Sequence, residues 1–224
     1  IAGWRAGPLA DAHPVSIGVA VPGPVRAADG LVRAAPHLGW ADAALGPLVA
    51  EATKLPAVIG NDANLGAVAE HLFGAARGVD DVVYLNGGAS GIGGAIIVGG
   101  RALTGAGGYA GEFGQSRPAV ESDADRRSAV GTLEDEVSRR RLLDAVGLRA
   151  ADEPELADAL AASTDPAVAD EVGRQRRILA TALANAVNGL NPSVVVLGGF
   201  LATIAGQDLP GLLADVRAQS MPTS

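Results

Sequence analysis

Short apolar runs that end at glycine or proline alternate along this chain with longer segments of helical periodicity. The run at 15–21 is β-rich and predicts a buried strand. The segment at 166–190 predicts a long helix, which Asn191 and Pro192 end. The same patterns predict strands at 57–60, 82–85, 94–98 and 193–197, helices at 47–54, 61–72, 132–146 and 154–162, and a hairpin at Asp29–Gly30. This alternation indicates an α/β fold with helices packed on a mixed sheet.

Composition allows one large domain or two small lobes. Of the 224 residues, 48% are hydrophobic and only 3% aromatic, so the core must be built from Ala, Val, Leu and Ile. The net charge of −8 argues against a nucleic-acid-binding surface in this segment, although a separate basic domain in a longer chain stays open. Cysteine is absent, which excludes disulfides and thiolate metal sites.

Glycines and polar residues interrupt the longest apolar run, 82–98, so this run does not predict a membrane span. No signal-peptide pattern is visible near the start, and we expect a cytoplasmic protein that does not contact a membrane. The chain begins with Ile1, and the residues before Val15 do not form a complete element. We therefore expect the N-terminal part of the fold to be incomplete.

Acidic residues near glycines are the main candidates for ligand binding. Glu112 lies in the glycine-rich segment 105–115, where it is either a solvated hairpin residue or an acceptor for a polyhydroxylated ligand. Asn61 and Asp62 lie where a strand passes into a helix. They are either helix caps or include a carboxylate base for a hydroxyl substrate. Glu134, at a helix start, either complements the helix dipole or joins such a site.

A series of motifs in fixed order resembles the ROK family of bacterial sugar-responsive repressors, open reading frames and sugar kinases. In chain order they are Gly18-Val-Ala-Val-Pro-Gly-Pro-Val25, Ala35-Pro36, Gly39-Trp40, Asn61-Asp-Ala-Asn64, Ala69-Glu70, Gly91-Ile-Gly-Gly94, Gly100-Arg101, Ala110-Gly-Glu-Phe-Gly114, Gly131-Thr-Leu-Glu134, Asn191-Pro192 and Gly198-Gly199. The resemblance covers nearly the whole chain and favours a NagC-like repressor. It implies an actin-like, ribonuclease-H-like fold with a remnant N-terminal lobe (1–76), a C-terminal lobe (77–224) and a sugar cleft between them.

The resemblance also implies roles for individual residues. Asp62 stands where the family's kinases keep their catalytic base. Gln115 replaces a histidine that is common in the family, and His37 replaces an amide. The residues implied to contact the sugar are Asn61, Asp62, Glu112, Gln115, Glu134 and His37. The three acids and Asn61 are expected to converge on one carbohydrate.

The chain departs from the family at its zinc loop. The histidine and three cysteines that family members carry there are Gln115, Asp125, Arg127 and Thr132 in this sequence, without a change of spacing. These side chains cannot form the tetrahedral site that structural zinc prefers. We therefore predict that zinc is absent and that ordinary packing holds the loop, unless the loop is mobile.

The phosphate-binding motifs are weak. The Asp-x-Gly-x-Thr turn of the family's kinases does not occur in this sequence. The second phosphate loop reads Ala89-Ser90-Gly91, where the serine hydroxyl replaces a threonine. Ser90, Gly91, Gly198 and Gly199 are the weak candidates for nucleotide contact. Phosphoryl transfer depends on positioning and charge neutralisation, so the missing first loop argues against it.

These observations favour the sugar-sensing and oligomerisation domain of a ROK-type transcriptional regulator. Its expected partners are a sugar or sugar phosphate and copies of itself, in a homodimer or homotetramer. DNA is contacted only through a domain absent from this chain, and no cofactor is expected. The alternative is a kinase for a hexose or N-acetylhexosamine that depends on ATP and Mg²⁺.

Overall fold

Three sheets organise the residues that the structure describes, and they lie in two compact units. The computed structural model describes residues 7, 11–26, 28–35, 38–120 and 122–222. One unit comprises Ile1–Gly66 with Thr104–Ala110, and the other comprises Ala67–Leu103 with Gly111–Ser224. We call them the first and the second unit. The division into lobes at 1–76 and 77–224, which the family resemblance implies, stays a prediction.

The first unit contains a parallel strand pair and a small antiparallel sheet. Strands β1 (Ile17–Val21) and β5 (Ala57–Asn61) are parallel, with Val21 opposite Asn61. The antiparallel sheet has the order β2-β3-β4. Its strands are β2 (Val25–Arg26), β3 (Leu31–Ala35) and β4 (Trp40–Ala44), and helix α1 (Leu45–Thr53) follows. The predicted hairpin at Asp29–Gly30 is confirmed, because β2 and β3 pair on either side of it.

The second unit is built on a four-stranded mixed sheet. Its order is β8-β7-β6-β9, and β6 pairs parallel with β9 but antiparallel with β7. The strands are β6 (Val82–Gly88), β7 (Gly91–Val98), β8 (Arg101–Ala102) and β9 (Val194–Gly199). Side chains of β6 enter cores on both faces: Val83 and Leu85 on one, Val82 and Tyr84 on the other. A central strand covered on both faces requires the nearly continuous apolar run seen in the sequence.

Helices provide most of the remaining described structure. They are α2 (Asp62–Phe73), α3 (Leu133–Glu136), α4 (Arg139–Ala145), α5 (Glu153–Ala162), α6 (Pro166–Leu190), α7 (Phe200–Gln207) and α8 (Leu209–Gln219). The long helix predicted at 166–190 is confirmed. Asp165 caps its start, and Asn191, in a left-handed conformation, ends it. None of the helices within the described ranges is long and apolar enough to cross a membrane.

The single helix predicted at 132–146 is wrong, because two short helices, α3 and α4, occupy that segment. The break follows from contacts with α6. Gln175 accepts a hydrogen bond from the Ser138 backbone N–H (2.9 Å) and donates one to the Ser138 carbonyl (3.2 Å). The Glu136 carbonyl accepts from Arg174 at 2.7 Å. These side chains take the backbone groups that a continuous helix would need.

Candidate functional site

Glu134 is the predicted sugar-binding acid of the second unit with hydrogen bonds to two other elements. It is half-buried on α3, and its Oε1 accepts a hydrogen bond from the Gln115 side-chain amide at 2.6 Å. Its Oε2 accepts the backbone N–H of Ile92 on β7 at 3.3 Å. Gln115 is exposed at the end of a 3-10 turn. A carboxylate and an amide in contact therefore face solvent, and together they can accept and donate hydrogen bonds to hydroxyl groups.

The backbone beside Glu134 requires glycine. Gly91 has a φ of +145°, a conformation that L side chains rarely adopt. A Cβ atom at this position would lie 2.5 Å from Glu134 Oε2. The glycine that opens β7 therefore allows the carboxylate to approach the strand closely enough to accept the N–H of Ile92.

Short-range bonds fix the first turn of α3. Thr132 and Asp135 form a capping box, in which each side chain accepts the backbone N–H of the other residue. The hydroxyl of Thr132 also donates to Asp135 at 2.8 Å, which lowers the pKa of that carboxyl. The Leu133 N–H donates to the Ser116 carbonyl at 2.8 Å, next to Gln115. These bonds tie the helix carrying Glu134 to the turn that carries its partner.

Glu112 directly precedes the same 3-10 turn. It is exposed, and its carbonyl accepts the Gln115 N–H at 3.2 Å. The structure thus brings Gln115 and Glu134 into contact and places Glu112 three residues before Gln115 on one turn.

Asn61 and Asp62 lie in the first unit, where β5 passes into α2. Asn61 caps the helix, because its Oδ1 accepts the Asn64 N–H at 2.9 Å. Its amide donates to the Gly23 carbonyl at 3.1 Å and to Asp62 Oδ1 at 3.2 Å. Asp62 is exposed and also accepts the Ala63 N–H at 2.9 Å. Its second oxygen, Oδ2, accepts nothing from the residues that the structure describes. His37 lies outside the described residues.

Asn64 is a polar residue of this junction that the sequence analysis did not single out as a site. Its Oδ1 is buried and has no hydrogen-bond partner among the described residues. The Asn61-Asp-Ala-Asn64 motif already contained the signal, since a polar side chain three residues after a helix cap lies on the same turn.

The four weak nucleotide candidates lie at one end of the second unit's sheet. Ser90 and Gly91 belong to the β6–β7 hairpin, and β9 ends with Gly198 and Gly199. Gly87 on β6 lies opposite Gly199 on β9. Gly199 has a φ of +58°, and a Cβ there would lie 2.1 Å from the Gly87 carbonyl oxygen. Glycines therefore lie at the ends of β6, β7 and β9 at the same edge of this sheet.

The residues at the family's zinc positions have other partners. Asp125 pairs with Arg177 at 3.2 Å, and the backbone N–H of Arg127 donates to Glu136 at 2.9 Å. Thr132 belongs to the capping box and Gln115 to Glu134. A guanidinium cannot ligate a metal, and the described residues contain no group of three His, Cys, Asp or Glu side chains that could. This donor set does not fit zinc.

The comparisons with known proteins identify both repressors and sugar kinases as relatives of this chain. Residues 9–218 match the ROK family. A xylose repressor of Caldicellulosiruptor bescii is 36% identical over 132 residues, which are 59% of this chain and 33% of the repressor. A glucokinase of Halalkalibacterium halodurans is 30% identical in an alignment of 229 positions that covers 93% of this chain and 68% of the kinase. A solved ROK family transcriptional regulator, a homolog of the E. coli MLC protein, has a TM-score of 0.79 and 27% identity, covering 99% of this chain and 59% of that chain.

These matches agree with the elements described above. The sequence match to the xylose repressor spans about a third of that repressor's length. The α/β fold of the actin-like class, with mixed sheets and packed helices, is confirmed. The family match extends from β1 through α8 and so covers both units. The chain belongs to the ROK family.

Proposed function

We propose that this chain is the sugar-sensing and oligomerisation region of a ROK-family transcriptional regulator. The observation that carries the proposal is the pair of Gln115 and Glu134, joined at 2.6 Å with Glu134 anchored to β7. An anchored carboxylate beside an exposed amide offers acceptors and donors to adjacent hydroxyls of a pyranose without rearrangement. We assign Glu112, Asn61, Asp62 and His37 as further sugar contacts.

A regulator is favoured over a kinase by what the phosphate side lacks. The β6–β7 hairpin keeps Ser90 and Gly91, but Ala89 stands where the family has glycine. The Asp-x-Gly-x-Thr turn is not in this sequence. A regulator needs only a sugar whose affinity differs between two conformations, whereas a kinase must also align the phosphates. The similarity to a xylose repressor and to a ROK regulator structure supports the same choice.

We further propose that the protein acts in the cytoplasm as a homodimer or homotetramer. DNA is contacted by a segment outside this chain, because the net charge of −8 here does not suit a polyanion. Neither zinc nor another cofactor takes part. The ligand is a sugar or a sugar phosphate, and a NagC-like specificity adds N-acetylated hexosamines to the candidates.

Calorimetry on the full-length protein tests the proposal, with xylose, glucose, N-acetylglucosamine and their phosphates as ligands. We expect one of them to bind and Glu134→Gln to weaken it about 10- to 150-fold, since a hydrogen bond to a charged group contributes about 1.5–3 kcal/mol. The control is Glu51→Gln, an exposed glutamate on α1. Equal affinities in both variants, or no heat with any of these ligands, contradict the proposal.

The kinase remains the second candidate because of Asp62. This carboxylate is exposed at a helix start, and its Oδ2 accepts no hydrogen bond from the described residues, as a base for a sugar hydroxyl requires. A glucokinase matches 93% of the chain. Sugar-dependent ADP release by the full-length protein with ATP and Mg²⁺, abolished in Asp62→Asn, would overturn the purely regulatory assignment.

A further inference from the structure

Arg174 on α6 is buried in the second unit with every one of its donors satisfied. Its side chain is 2% exposed, and its five N–H groups make five hydrogen bonds. Two go to the Glu171 carboxylate, at 2.7 and 2.9 Å. Two go to Glu136, at 2.7 Å to its carbonyl and at 3.1 Å to its carboxylate. The fifth reaches the Asp125 carbonyl at 2.9 Å.

Glu136 extends this network into the loop before α3. Its carboxylate is 1% exposed and accepts the backbone N–H groups of Arg127 and Ser128 at 2.9 to 3.1 Å. Arg174 and Glu136 together therefore hold the loop at Asp125, at Arg127 and at the end of α3. Asp125 and Arg127 occupy two of the positions where the family's zinc ligands were expected.

We propose that Arg174 is a positioning residue for Glu134. Its ion-pair network holds the loop before α3, which contains Asp125 and Arg127, in the way that a zinc ion would. The proposal rests on the proposed function, because Glu134 matters only if it binds the ligand. Helix α3 has only four residues. Within it, Glu134 lies two residues before Glu136, whose carbonyl and carboxylate both accept hydrogen bonds from Arg174.

Helical propensity alone cannot hold α3. A single turn is far shorter than an isolated helix needs to be stable in water. Its N-terminal end is fixed by the capping box of Thr132 and Asp135. Its C-terminal end is fixed by Arg174, which also takes a backbone carbonyl that would otherwise be unpaired. When one end is released, the turn is free to rotate, and Glu134 moves away from Gln115.

The charges of Arg174 and Glu136 depend strongly on each other. A buried ion pair costs desolvation energy, and removing one partner leaves the other unpaired. Glu171 is the second counter-charge; although burial opposes it, its hydrogen bonds with Arg174 and Gln175 lower the pKa of the Glu171 carboxyl. The Glu171–Arg174 pair is therefore charged at neutral pH. The geometry of the network is that of a guanidinium fork rather than of a point charge.

The test uses Arg174→Lys in the full-length protein, with Arg176→Lys as the matched control. Both residues lie on α6, but Arg176 pairs with Asp208 and Asp215 instead of the α3 loop. Lysine keeps the charge but has only three donors for acceptors that now receive five bonds. If Arg174→Lys does not fold, Glu136→Gln replaces it, because the backbone carbonyl of residue 136 stays available to Arg174.

Two readouts are taken. The first is the ¹⁵N–¹H resonance of the Gln115 side-chain amide, assigned by its loss in Gln115→Leu, which reports the position of Glu134 without ligand. We expect Arg174→Lys to shift it toward the position of a free glutamine amide. The second is the sugar Kd, which we expect to rise about tenfold, since the loss of one hydrogen bond to the ligand has an effect of this size. In a Glu134→Gln background, Arg174→Lys should add little to the Kd.

The outcomes separate this proposal from the proposed function. An unmoved Gln115 resonance in folded Arg174→Lys, or an equal shift in Arg176→Lys, overturns the positioning role even if sugar binds. A shifted resonance in a protein that binds no sugar refutes the sugar-binding assignment alone. A lower melting temperature with no change in either readout means that Arg174 is structural only, and it also overturns the proposal.

Discussion

Two carboxylates at helix starts in this protein have different surroundings. Asp62 accepts the N–H of the next residue in its own helix, and Asn61 beside it caps that helix. Glu134 instead accepts from Gln115 and from Ile92 on a neighbouring strand, 42 residues away along the chain. Dipole complementation alone would leave Glu134 in solvent. Its bonds across the second unit therefore make it the better candidate for a preorganised ligand contact.

Glu171 gives the protein a specific dependence on acid. Burial opposes its charged form, but hydrogen bonds from Arg174 and Gln175 prevail and lower its pKa below the ordinary carboxyl value. A lowered folded-state pKa contributes stability above the unfolded pKa of about 4.3, and this contribution is lost as pH falls through the folded value. We expect Glu171→Gln to be less stable than the wild type at pH 7 and to lose less stability on acidification below about pH 5.

Urea unfolding at a series of pH values between 7 and about 3.5 measures this effect. This pH range spans the ordinary titration of a carboxyl group. The control Glu51→Gln removes an exposed carboxylate and should follow the wild-type curve. Parallel pH curves for Glu171→Gln and the wild type would show that Arg174 does not stabilise the ionised form of Glu171.

At the scale of elements, the break between α3 and α4 depends on two buried side chains of α6, Gln175 and Arg174. Gln175 is fully buried and makes hydrogen bonds with both backbone groups of Ser138 and with Glu171. Gln175→Leu keeps much of the volume but leaves the Ser138 N–H unpaired, whereas the Ser138 carbonyl still accepts the Leu142 N–H. The unpaired donor costs about 1–3 kcal/mol of unfolding free energy. Denaturant titration checks the loss. Gln207→Leu, which removes one 3.4 Å bond to the Ala157 carbonyl, should cost less.

Local signals explain which elements the sequence could predict. Helix α6 was predicted correctly because Asp165, Asn191 and Pro192 mark its ends within a few residues. Strand β4 was missed, since Trp40–Ala44 is alanine-rich and largely exposed, and Asp42 has a φ of +46°. The α3–α4 break was missed because its causes lie far along the chain: Gln175 is 37 residues from Ser138, and Arg174 is 38 residues from Glu136. Neither composition nor periodicity contains those contacts.

At the scale of the whole molecule, motif order predicted the family and the candidate residues, but not their bonds. The contact of Gln115 with Glu134 joins residues 19 apart, and Arg174 reaches Asp125 across 49. Such contacts depend on the packing of the second unit. The convergence of Asn61 and Asp62 with Glu112 and Glu134 stays a prediction, which the corresponding variants test one residue at a time.

The last prediction concerns metal. If ion pairs hold the loop before α3, then the purified protein carries no stoichiometric zinc, and EDTA leaves its melting temperature unchanged. The physical reason is that Gln115, Asp125, Arg127 and Thr132 provide no tetrahedral soft donor set, while Arg174 already bonds the loop at Asp125 and Glu136. Elemental analysis and thermal melts with and without EDTA measure both quantities.

The same experiment needs a chain in which zinc is expected. The variant with Gln115→His, Asp125→Cys, Arg127→Cys and Thr132→Cys restores the donor types that the family carries at unchanged spacing. It should gain zinc and, with it, a melting temperature that EDTA lowers, because bound metal stabilises only the folded loop. One zinc per chain in the wild type would mean that the loop is aligned wrongly with the family. It would also mean that Arg174 cannot be the group that holds the loop in place of a metal.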